Sequence, residues 1–245
     1  MLEIRLTDHG NTKQEYEKIY SDEGICHLDS FYKWLLRLLS PQSGKLFLDV
    51  ACGEGRLSGW AQARGLKGHG VDFSERAARL AYSGGKGYFT VGDGEALPYK
   101  NGAFDYITSI GSLEHYLDPL KGVEEITRLL APAGQALILL PNTFGIMHNV
   151  WTALRTGRPG IDKQPIQRYA TVREWEDLLN QGGLRVVRIF KYEREFPTSW
   201  KDARWYLGHR KNMVRLLLTP FMPLNWACCF VFKCVKIDKD PQEEK

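Results

Sequence analysis

Leu48-Asp49-Val50-Ala51-Cys52-Gly53-Glu54-Gly55-Arg56-Leu57 is the stretch that decides the fold of this chain. The residues leading into it, Leu46-Phe47-Leu48, are apolar and read as a short strand. Gly53 and Gly55 let the backbone turn sharply, and a helix is expected from Leu57 to Arg64. A strand that passes through small residues into a helix leaves main-chain N–H groups free at the helix start. Such a turn receives a polar or anionic ligand close to the backbone. The spacing separates two kinds of loop. A dinucleotide loop, Gly-x-Gly-x-x-Gly counted from Gly53, needs a third glycine at position 58, where this chain has Ser58. Asp49 instead sets an acid inside the turn.

Outward from this turn, strands and helices alternate. Strands are expected at Lys67–Asp72, Tyr88–Val91, Phe104–Ile110, Gln135–Leu140, Leu184–Tyr192 and Ala227–Ile237. Ser74 caps a helix through Ala81, Val123 to Leu130 reads as a helix, and Thr171 caps another through Leu179. This alternation predicts an α/β domain with a largely parallel sheet and helices on both faces. Residues 1–43 carry helical spacing instead. Tyr16, Ile19 and Tyr20 form one apolar face and Phe31, Trp34, Leu35, Leu38 and Leu39 a second, stopped by Pro41. The expected division is a helical cap over 1–43 and a domain over 44–245, with inserts at about 142–170 and 197–225.

The chain has 245 residues, of which 43% are hydrophobic and 25% charged, with a net charge of +4, as in ordinary globular proteins. The charge is uneven. Leu184 to Arg215 holds nine Lys/Arg against three acids, a basic stretch suited to an anionic partner or to a solvated face. Five cysteines, none spaced Cys-x-x-Cys, indicate neither a zinc site nor a disulfide framework, and no metal ligand set is expected. The polar N-terminus has no signal-like apolar run, so a cytoplasmic location is expected. Leu216 to Phe232 lacks charge but is too short, and too broken by Pro220 and Pro223, to span a bilayer. Peripheral membrane contact through Phe221, Met222 and Trp226 stays open.

Four further stretches extend the first. Gly70-Val71-Asp72-Phe73-Ser74 puts an acid at the end of the second strand, 17 residues after Gly55, where ribose hydroxyls are bound in nucleotide folds. Val91-Gly92-Asp93-Gly94-Glu95-Ala96-Leu97-Pro98-Tyr99 follows the third strand. Ser109-Ile110-Gly111-Ser112-Leu113-Glu114-His115 follows the fourth, and Leu129-Leu130-Ala131-Pro132-Ala133-Gly134-Gln135 precedes the fifth. In this order and spacing the chain resembles the class I, Rossmann-like S-adenosylmethionine-dependent methyltransferases, clearly over Tyr16–Pro141 and weakly over Leu184–Ile237. Ala51 stands where many members have glycine.

The resemblance implies a seven-stranded, mostly parallel sheet whose last strand is antiparallel, and S-adenosyl-L-methionine as cofactor. It assigns Asp49, Ala51, Cys52, Gly53 and Gly55 to the methionine end and Asp72 to the ribose. Phe73, Asp93, Gly94 and Glu95 go to the adenine, and Ile110 and Gly111 to the sulfonium. His115 follows as a candidate general base, with an orienting role as the alternative. Tyr16, Tyr20, His148, Arg168 and Tyr169 fall in regions that cover the pocket in this family.

Absences narrow the acceptor. No Asn-Pro-Pro-Tyr element or cysteine follows the fourth strand, and no RNA-binding module is recognisable, so no nucleic acid is expected. The resemblance implies methyl transfer to an oxygen or nitrogen of a small molecule: a metabolite, a sugar, or an anionic or lipid-linked acceptor. Both inserts mix aromatics with arginines, Arg155, Arg158 and Arg168 in the first, which suits such an acceptor. An RNA or protein methyltransferase and a non-catalytic binding protein are the alternatives.

Overall fold

The computed structural model describes residues 1–5, 12–22, 27–85, 87–158, 160 and 164–237. Its strands are β1 (Leu2–Arg5), β2 (Leu46–Val50), β3 (Lys67–Asp72), β4 (Tyr88–Val91), β5 (Phe104–Ile110), β6 (Leu130–Pro141), β7 (Ile166–Tyr169), β8 (Leu184–Tyr192) and β9 (Cys229–Lys236). Its helices are α1 (Thr12–Asp22), α2 (Asp29–Leu39), α3 (Arg56–Gln62), α4 (Glu75–Ser83), α5 (Pro119–Leu129), α6 (Trp151–Thr156), α7 (Val172–Gln181), α8 (Trp200–Gly208) and α9 (Arg210–Leu218).

Seven strands form one sheet in the order β4-β3-β2-β5-β6-β9-β8. The pairs among β4, β3, β2, β5 and β6 are parallel. β9 runs antiparallel to both β6 and β8, so the expected antiparallel last strand lies inside the sheet rather than at its edge. Strand alternation divides the core. Leu48 and Val50 of β2 join Ile126 of α5 and Trp175 and Leu179 of α7 in one cluster, while Phe47 joins Phe31 and Leu35 of α2 and Leu57 and Ala61 of α3 in the other. Trp175 is fully buried yet satisfied, its indole N–H donating to the Pro141 carbonyl at 2.8 Å.

Helix boundaries follow the capping chemistry. Thr171 and Glu174 form a reciprocal capping box at the start of α7. α5 begins before the expected Val123, because Asp118 accepts from the N–H groups of Leu120 and Lys121 and Pro119 fits the first turn. Two segments depart from expectation. Residues 2–5 are a strand, paired antiparallel with β7 inside the segment read as a loop-like insert. The second insert carries α8 and α9.

The main turn owes its shape to an aromatic ring. Gly55 caps α3 with φ +70°, and a Cβ there would stand 2.5 Å from Phe89 Cζ and 2.9 Å from Ala81 Cβ. The Phe89 ring also fills the space beside Gly70. Gly55→Ala is therefore expected to cost about 2–4 kcal/mol in urea unfolding, from a left-handed backbone and overpacking together. Phe89→Ala in the same chain should recover the overpacking part. A Gly55→Ala protein as stable as the parent would show that the ring does not press on the turn.

Candidate active site

The carboxyl ends of β2, β3, β4 and β5 open into one cavity of about 400 Å³, within the range of small-ligand sites. Asp49, Val50, Ala51, Cys52 and Gly53 line it at and after the end of β2, Asp72 and Phe73 at and after the end of β3, Asp93, Gly94 and Glu95 after β4, and Ile110, Gly111 and His115 at and after the end of β5. Thus every residue expected at the cofactor lines the cavity except Gly55, which lies behind the turn against Phe89.

The acids are buried at a cost. Asp49 Oδ1 accepts from Thr108 Oγ1 at 2.6 Å. Burial nonetheless pushes its carboxyl up to about 7, and the nearby Asp72 adds repulsion. Asp72 accepts the Gly53 N–H at 2.8 Å and the Ser74 N–H at 2.9 Å. Burial still raises it to about 6, since those two bonds and a third to the Phe73 N–H only partly offset the desolvation. A carboxylate has about four acceptor directions, so Asp72 retains capacity for hydroxyl donors. Burial and the two carboxylates push the Cys52 thiol upward, which keeps it neutral and no nucleophile.

After β4, Asp93 Oδ1 accepts the Glu95 N–H at 2.9 Å, and Glu95 Oε1 accepts the Leu117 N–H at 2.7 Å. The Tyr116 ring lies across Gly94, where a Cβ would stand 2.0 Å from its hydroxyl.

His115 sits in a short turn, Leu113–His115, after β5. Its Nδ1 bonds the Ile166 carbonyl of β7. A carbonyl only accepts, so Nδ1 carries the proton and neutral His115 keeps its lone pair on Nε2. Glu114 Oε1 lies 3.8 Å from that Nε2, placed to stabilise an imidazolium. Arg168, expected among the acceptor-recognition arginines, is buried and committed elsewhere. Its guanidinium pairs with Glu3 of β1 at 2.7 Å and donates to the carbonyls of Glu114, Tyr116 and Leu117. It holds the His115 turn against β7 and does not face the cavity. His148 and Tyr169 also lie outside the cavity lining.

The remaining wall comes from the N-terminal helices. Tyr16 and Tyr20 line the cavity, as do His27 just before α2 and Tyr32 within it, which the sequence did not single out. Tyr16 stands edge-on to Phe73 with ring centroids 6.5 Å apart and donates to Gln164 at 3.2 Å. Glu17 fastens α1 across the site by accepting the Glu75 N–H at 2.8 Å and the Arg76 N–H at 3.3 Å, at the α4 N-terminus. Of the described residues of the two inserts, only Gln164 reaches the cavity.

Residues 48–138 match the methyltransferase domain family. Those residues carry a methyltransferase domain of the class I, S-adenosylmethionine-dependent type. Its cofactor is S-adenosylmethionine. This methyltransferase is 29% identical over 207 residues to a demethylmenaquinone methyltransferase of Bacillus licheniformis, covering 72% of this chain and 89% of the relative. It is 27% identical over 181 residues to an O-methyltransferase of Penicillium expansum, covering 66% of this chain but only 60% of that protein. In fold it resembles an S-adenosylmethionine-dependent methyltransferase of Mesorhizobium loti, with TM-score 0.61, 17% identity, and 83% of this chain and 97% of that one covered.

The donor set fits the cofactor: buried acids suit an ammonium and ribose hydroxyls, and the glycine-containing turn lets the ligand approach the main chain. The buried acids also predict a pH dependence. A carboxyl raised in the folded state contributes stability that is fully present below its unfolded value of about 3.8 and lost as pH rises through about 7. Asp49→Asn in the cofactor-free methyltransferase should therefore gain about 2–4 kcal/mol relative to the parent between pH 4 and pH 8 in denaturant titrations. Parallel stability curves would contradict the burial argument.

Proposed function

We propose that this chain transfers the methyl group of S-adenosylmethionine to an oxygen or nitrogen atom of a small, amphipathic molecule. The observation that carries the reading is His115, a buried imidazole that lines the same cavity as the acids, with its Nδ1 proton committed to the Ile166 carbonyl.

In this reading Asp49 and the main chain of Ala51, Cys52 and Gly53 hold the amino-acid end of the cofactor. Asp72 accepts from the ribose hydroxyls, and Phe73, Asp93, Gly94 and Glu95 enclose the adenine. Ile110 and Gly111 border the sulfonium, which supplies an already activated methyl group when bound. The residues here then need mainly to align the acceptor and remove its proton. As the acceptor heteroatom bonds the methyl carbon and the carbon–sulfur bond breaks, the released proton passes to His115 Nε2. Glu114 offsets the imidazolium charge so formed. The acceptor is taken up beside Tyr20, His27 and Tyr32 of the same cavity, side chains with apolar faces and polar edges that suit an amphipathic ring system. The names of the quinone and O-methyl relatives support a small-molecule acceptor of this kind. Arg155 and Arg158 are exposed and lie outside the cavity lining, so an anionic group on the acceptor is not tied to them.

The test is kinetic and structural at once. Transfer of labelled methyl to fractionated cell extract identifies the acceptor. His115→Ala should then lower kcat by about 100-fold with cofactor affinity retained. Asp72→Ala should instead weaken cofactor binding by about 1.5–3 kcal/mol. Full turnover in His115→Ala with an unchanged pH–rate profile would remove the base from the reading.

A further inference from the structure

The segment that carries α8 and α9 presents a surface that the cavity does not explain. Along residues 197–226 the single carboxylate, Asp202, is buried, where its Oδ2 accepts the Ser30 N–H at 3.1 Å. Four of the five Lys/Arg of the same segment are exposed: Lys201, Arg204, Arg210 and Lys211. Large apolar side chains are exposed with them. Trp200 is 90% exposed, Phe221 82%, Leu207 71% and Leu217 62%.

Helical spacing gathers these groups. Trp200, Arg204 and Leu207 follow one face of α8, and Lys211, Val214 and Leu218 one face of α9. The opposite side of α9 is anchored: Leu216 is buried, Arg215 pairs with Glu193 at 2.8 Å, and Asn212 accepts from Arg194 at 2.8 Å. Lys191 Nζ fixes the following turn by donating to the carbonyls of Pro220 at 2.9 Å and Met222 at 2.6 Å, so Phe221 is held outward. Leu28 lines a groove with Trp200, Arg204 and Leu207, and its neighbour His27 lines the active-site cavity. The surface therefore adjoins the acceptor end of the site.

We propose that this segment docks the protein on an anionic lipid bilayer. Exposed Trp, Leu and Phe enter the interfacial layer, and the four cations meet acidic headgroups. Charge complementarity selects this occupant: the segment offers cations without a single exposed carboxylate. No helix among the described residues is long and apolar enough to cross a membrane, so the contact lies on the surface. The proposal stands on this surface alone and is independent of the acceptor's identity.

The experiment is vesicle co-sedimentation of the full chain. The vesicles are phosphatidylcholine alone, or with about one-third phosphatidylglycerol. Binding to the anionic vesicles alone is expected, weakened by added salt. Each of Lys201→Glu, Arg204→Glu and Lys211→Glu should reduce it at least about five-fold. Trp200→Ser with Phe221→Ser should abolish it, with S-adenosylhomocysteine affinity unchanged in every variant as proof of folding. Equal binding to both vesicles, binding to neither, or full binding by the triple charge reversal would each overturn the proposal. So would a dimer in solution that the same substitutions dissociate, since the surface would then belong to a second copy.

Discussion

Two carboxylates held out of water at neighbouring strand ends set the terms for the rest of the site. Asp49 and Asp72 sit where β2 and β3 finish, repel one another, and are both raised toward neutrality by burial. Such a pair is costly, and the surrounding structure exists in part to offset it. Thr108 from β5 donates to Asp49, and the turn after β2 donates Gly53 N–H to Asp72. The turn adopts that shape because Gly53 and Gly55 accept positive φ, and Ala51 shares that conformation at φ 56°. A cationic ligand relieves the same repulsion. The geometry that burdens the free protein is the geometry that gives affinity.

The second organising element is the tie between the His115 turn and the two-stranded sheet. Arg168 crosses from β7 to gather three carbonyls of the 114–117 segment and the Glu3 carboxylate of β1. The Ile166 carbonyl from the same strand sets the His115 tautomer. The first residues of the chain thereby brace the proposed base. Helix α1 crosses the other side and is fastened by Glu17 at the α4 N-terminus.

The main sheet was legible because central strands such as β2 and β6 bury most of their residues and read as apolar runs, and because Asp49, Asp72 and Asp93 recur at fixed places relative to strand ends. The β1–β7 pair was not legible. Leu-Glu-Ile-Arg and Ile-Gln-Arg-Tyr are short and mixed, and each gains its order from the other across more than 160 residues. For the same reason Arg168 looked like a solvent-facing anion receptor: nothing in its neighbourhood announces that distant carbonyls and Glu3 satisfy it. Gly55 was assigned to the ligand because its spacing matched, yet that spacing serves Phe89, an aromatic 34 positions later. His27 escaped notice since it lies between two helical patterns, and Tyr32 since it sits among the apolar residues of the second; both line the cavity through the way α2 packs on α3 and β6.

The central claim is that buried, partly protonated acids become ionised against the cofactor's cation. Calorimetric titration with S-adenosylhomocysteine, repeated at several pH values and in buffers of different ionisation enthalpy, tests it directly. The account predicts that affinity rises as pH increases from about 5.5 to 7.5, with net release of protons on binding across that window. Asp49→Asn should show a flatter curve and weaker binding at the upper end. Affinity independent of pH, with no proton released, would contradict the account.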